Sequence, residues 1–470
     1  MYAANGARTS GPAGGRPGLL VAACCLSVFV SGVSTTALNT ALPVIKVDLG
    51  MSLQGLQWTV DAYSLVIACL LLLAGSLADR YGRRLVFIAG LVLFTLASAG
   101  CGLASSAGWL ITMRVVQAVG GAMLNPVALS IITNALTRPE DRARAIGTWG
   151  AVFGLSIGLG PVIGGTLVSA LGWRSVFFVN IPLTLVALWL TLRHISESRA
   201  ARPRRLDPAG QVSFALALAG LTYAVIDETS TVAAITLGVF VLAAVSFVAI
   251  ELRSQQPLLD LRFFRSPPLA GASLIAILAF GVLAGFSFLS SLYLQQARSL
   301  TPIQAGLALL PMAGFMAVVG IVSGRLVARH GPRVPLVVSG LTIAAGCAML
   351  LGLTKDTPMG YLLTAFAVLG IGLGMVNPPI STTAVSSMPA DQSGVAASLA
   401  SVSRQIGGVL GVAVVGVFVA ASTPADFAQD SRAAWLVLAC CGVAVAVLGL
   451  VSTGDWARAA TDRNARKITT

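Results

Sequence analysis

The chain has 470 residues, 56% of them hydrophobic and only 10% charged, where a soluble domain carries roughly a quarter charged. With a mean hydropathy of +0.88, this composition excludes a set of soluble domains and points to an all-helical protein that crosses a membrane many times. The net charge of +13 does not read as a nucleic-acid footprint, because the basic residues sit in short turns between apolar spans, where the positive-inside rule places them.

In chain order, a short polar segment carrying Arg8 and Arg16 precedes an apolar stretch that mimics a signal peptide but is long enough to remain as a first span. Fourteen apolar spans follow, each near the ~20 residues a bilayer helix needs: 19–42, 55–77, 85–105, 109–136, 145–170, 176–194, 208–226, 232–250, 268–292, 304–325, 335–353, 359–384, 394–421 and 433–453. An even number puts both termini on one side. With the N-terminus cytoplasmic, Lys46, Arg174, Arg298, Lys355 and Arg432 fall outside and Arg114 and Arg404 fall within spans. Every other Lys and Arg is then cytoplasmic, which fixes the orientation. Trp58, Trp109, Trp173 and Trp435 come to lie near the outer interface.

Span one presents Ser31, Thr35 and Asn39 at helical spacing, with Ser34 beside them: a face that hydrogen-bonds but holds no charge. Span two contains Asp61, about two turns in, by helical rise, and the only acid placed inside a span. An acid there is a functional hypothesis by default. Loss of hydration disfavours its charged form, so it could load a proton from outside, release it to the cytoplasm, and let a cationic substrate compete for the same charge. The bland alternative is a boundary carboxylate in contact with water. Where span two ends, Gly75-x-Leu-x-Asp79-Arg80-x-Gly82-Arg83-Arg84 forms a compact charged turn. Asp79 there can pair with arginines or cap a neighbouring helix, which would let the cluster hold the cytoplasmic side shut. Otherwise it is an ordinary positive-inside turn.

Span four carries Arg114 and Gln117, then Asn125-Pro126, a kink candidate echoed by Asn377-Pro378-Pro379 in span twelve. Arg114 is costly in a membrane and is expected to face the cavity and bond a carboxylate or backbone carbonyls. In span five, Gly154, Gly158, Gly160, Pro161, Gly164 and Gly165 strip side chains from one helix face, allowing close packing and a weak point in the backbone. Spans seven and eight carry little chemistry; Asp227 and Glu228 lie in the turn between them, and the Arg199–Arg205 link anchors the preceding cytoplasmic end. Arg404, in span thirteen, reads as structural or snorkelling. The 7 cysteines sit in apolar spans as small buried hydrophobes, and His194 and His330 form no metal-ligand or nucleophile–base grouping.

The chain repeats itself at an offset of about 250 residues, as parallel-repeat transporters do. Gly75, Leu77, Arg80, Gly82 and Arg84 match Gly324, Leu326, Arg329, Gly331 and Arg333; Met123-Leu-Asn-Pro126 matches Met375-Val-Asn-Pro378; Asp141 matches Asp391. This divides the chain into a six-helix half at 1–205, two inserted helices at 206–252, and a second six-helix half at 253–470.

At these residues the chain resembles the major facilitator superfamily, and more narrowly the fourteen-helix drug:proton antiporters among bacterial multidrug exporters. The turn signature carries most of the likeness, with Arg114–Ala122 and the span-five glycines next. Ala41-Leu42-Pro43, Trp58-x-x-Asp61-Ala-Tyr63 and Arg404-Gln405-x-Gly407-Gly408 add weaker support. The resemblance implies alternating access, exchange rather than symport from the span-five pattern, and proton coupling at Asp61 and Arg114. It implies a gate at Gly75, Asp79, Arg80, Gly82, Arg83 and Arg84, and a cavity drawing on Ser31, Ser34, Thr35, Asn39, Tyr63, Gln117, Asn125 and Asn377. It also implies a multi-pass bacterial inner-membrane monomer with cytoplasmic termini, needing no cofactor beyond protons and no metal, and meeting small amphiphilic or cationic substrates and membrane lipids. One departure matters. Where many members carry an acid in span one, this chain has Ser34, so neutral or monocationic lipophilic substrates fit better than dications. A solute:proton symporter, a lipid or precursor flippase and a membrane enzyme remain alternatives. A nucleotide-driven pump is disfavoured because no phosphate-binding loop is present.

Overall fold

A computed structural model of the chain describes residues 17–200, 207–226, 230–254, 264, 266–386, 393–420, 422–423 and 426–454. Among these, every regular element is a helix, as expected where hydrocarbon offers no partner to backbone N–H and C=O groups. Fourteen helical spans are long and apolar enough to cross a membrane, so this is a multi-pass membrane protein.

The first half comprises α1 (Pro17–Asp48), α2 (Leu53–Tyr81), α3 (Arg83–Gly102), α4 (Ala107–Ala135) and α5 (Pro139–Leu171), with a sixth crossing divided at Val179 into α6 (Ser175–Phe178) and α7 (Asn180–His194). The inserted pair is α8 (Pro208–Ile226) and α9 (Ser230–Arg253). The second half opens with α10 (Pro267–Leu292), prolonged by a π turn, Tyr293–Ala297. Its next crossing is divided into α11 (Pro302–Ala308) and α12 (Leu310–His330). Then come α13 (Arg333–Met349), α14 (Met359–Ser386), α15 (Ser393–Val419) and α16 (Phe427–Ser452).

Local chemistry sets the turns. Ser52 and Ser106 cap α2 and α4, accepting from Gly55 N at 3.2 Å and Trp109 N at 3.3 Å. Thr301 and Gln304 form a reciprocal capping box at α11. Below, the basic end is the side where α2 turns into α3, and the far end is the side where α1 turns into α2. At the far end Asp48, closing α1, accepts from Trp173 Nε1 at 2.8 Å and Arg174 Nη1 at 2.9 Å.

Within each half the main pairings are α1 with α5 and α3 with α4, then α10 with α15, α12 with α14 and α13 with α16. The halves meet along α2–α15 and where α5 packs on α11 and α12, while α8 lies along both α2 and α15.

Several expectations need correction. Helices outrun the apolar windows, so Asp61 is not the only acid in a span: Glu251, only 4% exposed, lies in the last turn of α9. The division at 252/253 falls inside that same turn. Pro126, Pro161 and the Pro378–Pro379 pair sit within helices assigned as continuous, whereas the interruptions in the sixth, ninth and tenth crossings had no forecast. Trp109 is half-exposed, but Trp173 and Trp435 are buried in protein contacts rather than displayed to lipid. Arg8, Arg16, Arg202–Arg205, Asp227, Glu228, Asp391 and the 205/206 division lie outside the described residues.

Candidate functional site

The site is organised around α2. Its residues near the far end alternate between two neighbours by helical register. Gln57 faces α15, donating from Nε2 to Val412 O at 3.4 Å and Ala413 O at 3.3 Å. Trp58 faces α8, where its ring lies 5.4 Å from that of Tyr223. Asp61 falls between those two directions. Its side chain is 0% exposed, and among the described residues neither carboxylate oxygen has a hydrogen-bond partner. One turn on, Leu65, Ala68 and Cys69 pack with Leu218 of α8 and Val409 of α15 in one apolar cluster. A carboxylate charged here would cost several kcal/mol with nothing to offset it. The neutral acid suits this packing.

The opposite face of α2 is handled differently. Arg114 of α4, 1% exposed, donates from Nε to Thr59 O at 3.1 Å and from Nη1 to Gln117 Oε1 at 2.6 Å. Gln117 Nε2 donates in turn to Ser98 Oγ of α3 at 2.7 Å. The guanidinium also stands 4.0 Å over the Tyr63 ring, and Tyr63 OH lies 3.4 Å from Ser31 Oγ of α1. Of the two partner types open to Arg114, it takes the backbone carbonyl, not Asp61. Gln117 is spent inside the first half and is fully buried there.

On α1, Thr35 bonds back to Ser31 O at 2.9 Å, and Ser34 Oγ is buried with no described partner. The backbone carbonyl of Asn39 accepts from Ser291 Oγ of α10, while its side-chain Oδ1 is buried with no described partner. Asn125 Oδ1 is buried without a described partner. In the second half, Arg404 donates to Asn377 Oδ1 at 3.3 Å and Ser401 Oγ at 2.7 Å, and lies 5.7 Å from the Phe280 ring centre. It is part-buried against these groups.

The span-five glycines line a contact between elements. A side chain on Gly160 or Gly164 would strike Thr36 or Ala37 of α1, and one on Gly165 would strike Pro302 of α11. Gly158 lies against Ala313 of α12, but Gly154, one turn nearer the basic end, meets nothing within 4 Å. The α5–α12 seam therefore parts towards the basic end. Bonds joining the halves cluster at the far end: Gln57 to α15, Gln295 Nε2 to Thr40 O at 2.9 Å, Ser291 to Asn39 O, and Ile303 N to Ser169 Oγ at 3.2 Å.

At the basic end, Asp79 pairs with Arg83 at 2.9 Å within its own turn. Helix capping falls instead to Glu197, past the end of α7, whose carboxylate accepts from Arg84 N and Leu85 N, each at 3.1 Å. Gly82 adopts φ +122°, and a Cβ there would sit 2.6 Å from the Glu197 carboxyl, so only glycine fits without disturbance. Arg84 Nη2 reaches Leu192 O at 2.8 Å. Arg80 lies 5.8 Å from the Tyr81 ring centre, and a Cβ on Gly75 would meet nothing within 4 Å. The turn thus holds the first half together in this arrangement.

Sequence reasoning missed Gln57, Ser98, Glu197 and Gln211. Their only signal was a polar residue at a span edge or in a polar turn. Among the described residues no grouping of His, Cys, Asp and Glu is suited to a metal.

Comparison with known proteins places this geometry. A model of the Major Facilitator Superfamily matches residues 24–412. The chain is 36% identical over 408 residues to the Multidrug resistance protein Stp of Mycobacterium tuberculosis, covering 86% of this chain and 76% of the relative. It is 37% identical over 416 residues to the Tetracenomycin C resistance and export protein of Streptomyces glaucescens, covering 86% and 76%. Among solved structures, a peptide transporter POT in complex with sulfate superposes with a TM-score of 0.70 at 15% identity, over 95% of both chains. That last likeness speaks to the fold alone.

Proposed function

The chain belongs to the Major Facilitator Superfamily, and from that premise we propose that it is a proton-coupled efflux carrier for small lipophilic or cationic molecules. As a member it is a transporter, not an enzyme. Relatives named for multidrug resistance and for export of an antibiotic support outward movement of drug-like compounds. In this reading the basic end is cytoplasmic, both termini lie there, the membrane is a bacterial inner membrane, and the carrier works as a monomer with protons as its coupling ion.

The observation that carries the reading is Asp61, fully buried and without a described partner where the two halves meet. A neutral carboxyl tolerates that packing and a charged one does not. Binding or losing a proton there biases the far end towards closing or opening, as a two-state element must be biased to couple two solutes. The parted α5–α12 seam gives substrate an entrance on the basic side while the far end is sealed. Asp79 and its arginines then act on the cytoplasmic closure in the opposite state.

Everted membrane vesicles given a fluorescent cationic dye in the outer medium test the proposal. Accumulation should be driven by an imposed proton gradient, collapse with an ionophore, and vanish in Asp61→Asn. Uptake indifferent to the ionophore would overturn proton coupling.

A further inference from the structure

The inserted helices have no role in the reading above, yet one of them borders its central acid. We infer that α8 is part of the coupling machinery: it closes Asp61 into a dry junction with α2 and α15, so that a proton enters or leaves only when this junction parts. The inference rests on Asp61 being the proton carrier.

Three observations place α8 along α2 on either side of the acid. Towards the far end, Gln54 Nε2 donates to Ile226 O, the last residue of α8, at 3.3 Å. Beside Asp61, Tyr223 packs on Trp58. Towards the basic end, Gln211 Nε2 donates to Cys69 O. Between these ties, Leu218, with Ala215 and Ala219 against it, completes the cluster of Leu65, Ala68, Cys69 and Val409. Asp61 projects between the α15 and α8 directions by helical register. Without α8 that side of the α2–α15 seam would open outward, away from the first-half interior. With it, the carboxyl has no exposed surface at all.

Among the described residues no other charge compensates the acid. Arg114 of α4 is engaged at Thr59 O and Gln117 on the opposite face of α2, and Arg404 of α15 at Asn377 and Ser401. Tyr63 faces Arg114 and Ser31, and the Tyr223 ring lies tilted against Trp58. Cys69 lies one turn beyond Leu65, in the cluster itself. Asp207 precedes α8 and Glu251 ends α9, both at the basic end. On α1, Lys46 and Asp48 stand at the exposed far end, and on α3 Arg83 and Arg84 at the basic end.

Substrate in the cavity therefore does not displace the proton by touching Asp61. Coupling runs through separation of α2, α8 and α15, which predicts similar proton coupling for neutral and monocationic substrates.

The full-length protein in liposomes enclosing a pH dye tests this. A second readout is modification of Asp61 by dicyclohexylcarbodiimide, which reacts with protonated carboxyls in apolar surroundings, followed by mass spectrometry. Leu218→Ala, which thins the seal, should label Asp61 several-fold faster and admit protons without substrate. Gln211→Leu, which unties α8 without opening a cavity, should shift both readouts the same way if Leu218→Ala does not fold. Leu242→Ala, on the lipid face of α9 at 70% exposed, should match the parent. Adding Asp61→Asn to Leu218→Ala should abolish the leak. Unchanged labelling and leak in both α8 variants, or a leak that survives Asp61→Asn, would refute the seal. Full substrate-driven proton movement in Asp61→Asn alone would instead refute the carrier assignment.

Discussion

The two faces of α2 hold polar groups in opposite ways. Towards α4 and α1, Thr59 and Tyr63 join a buried network in which the Arg114 charge is met by a carbonyl, an amide oxygen and an aromatic ring. Towards α15 and α8, Asp61 is fully buried with no described hydrogen-bond partner, one turn from an apolar cluster. A satisfied network fixes one arrangement. An unsatisfied acid at a seam makes the arrangement depend on whether a proton is present. In the proposed coupling, the first face serves as scaffold and the second as switch.

The largest expected effect breaks the switch. Asp61→Asn keeps shape and burial but cannot change charge, so substrate-driven proton movement in liposomes should fall to background while substrate binding persists. Next, the scaffold: Arg114→Ala leaves buried Gln117 Oε1 without its donor, takes the second donor from Thr59 O and empties the site over the Tyr63 ring, and should cost about 3 kcal/mol of stability, read as a lower melting temperature in detergent. If Arg114→Ala instead left stability intact and removed only coupling, the division between the faces would fail.

A smaller effect separates the two copies of the turn signature. Gly331 has φ +79° with nothing within 4 Å of where a Cβ would stand, whereas Gly82 has φ +122° with that place against Glu197. Gly331→Ala should cost about 1 kcal/mol from backbone strain. Gly82→Ala should cost about 2 kcal/mol, adding the loss of the α3 cap. Equal melting temperatures in the two variants would mean that Glu197 contributes nothing. Smallest of all, Tyr63→Phe removes a 3.4 Å contact with Ser31 and a hydroxyl interaction with Thr35, and should change stability by under about 1 kcal/mol.

The fold was legible because hydrocarbon imposes a coarse rule, one long apolar run per crossing, and that rule survives without knowledge of any contact. Asp61 stood out for the same reason, as an acid where none is cheap. What surrounds it did not. Which way a residue faces depends on which helices become neighbours, and Gln54 and Gln211, which tie α8 to α2, do not reveal in the sequence which helix each will meet. Glu197 was hidden in a polar turn where a carboxylate attracts no notice, so the capping role was given to the nearer Asp79. Gln117 looked like a cavity residue because a polar group in a span suggests solvent, but Ser98 and Arg114 absorb it within the first half.

The short stretch after α7 is tied by its backbone to the turn between α2 and α3, through Arg83 N to Ser198 O at 2.9 Å and Ala200 N to Asp79 O at 3.1 Å. Together with the glutamine ties from Gln54 and Gln211, this makes the inserted pair a passenger of the first half. In the proposed cycle α8 travels with α2, and beside α8 the sliding surface is the hydrocarbon contact of Leu218 with Val409, the directional ties between α2 and α15 being left to Gln57 nearer the far end.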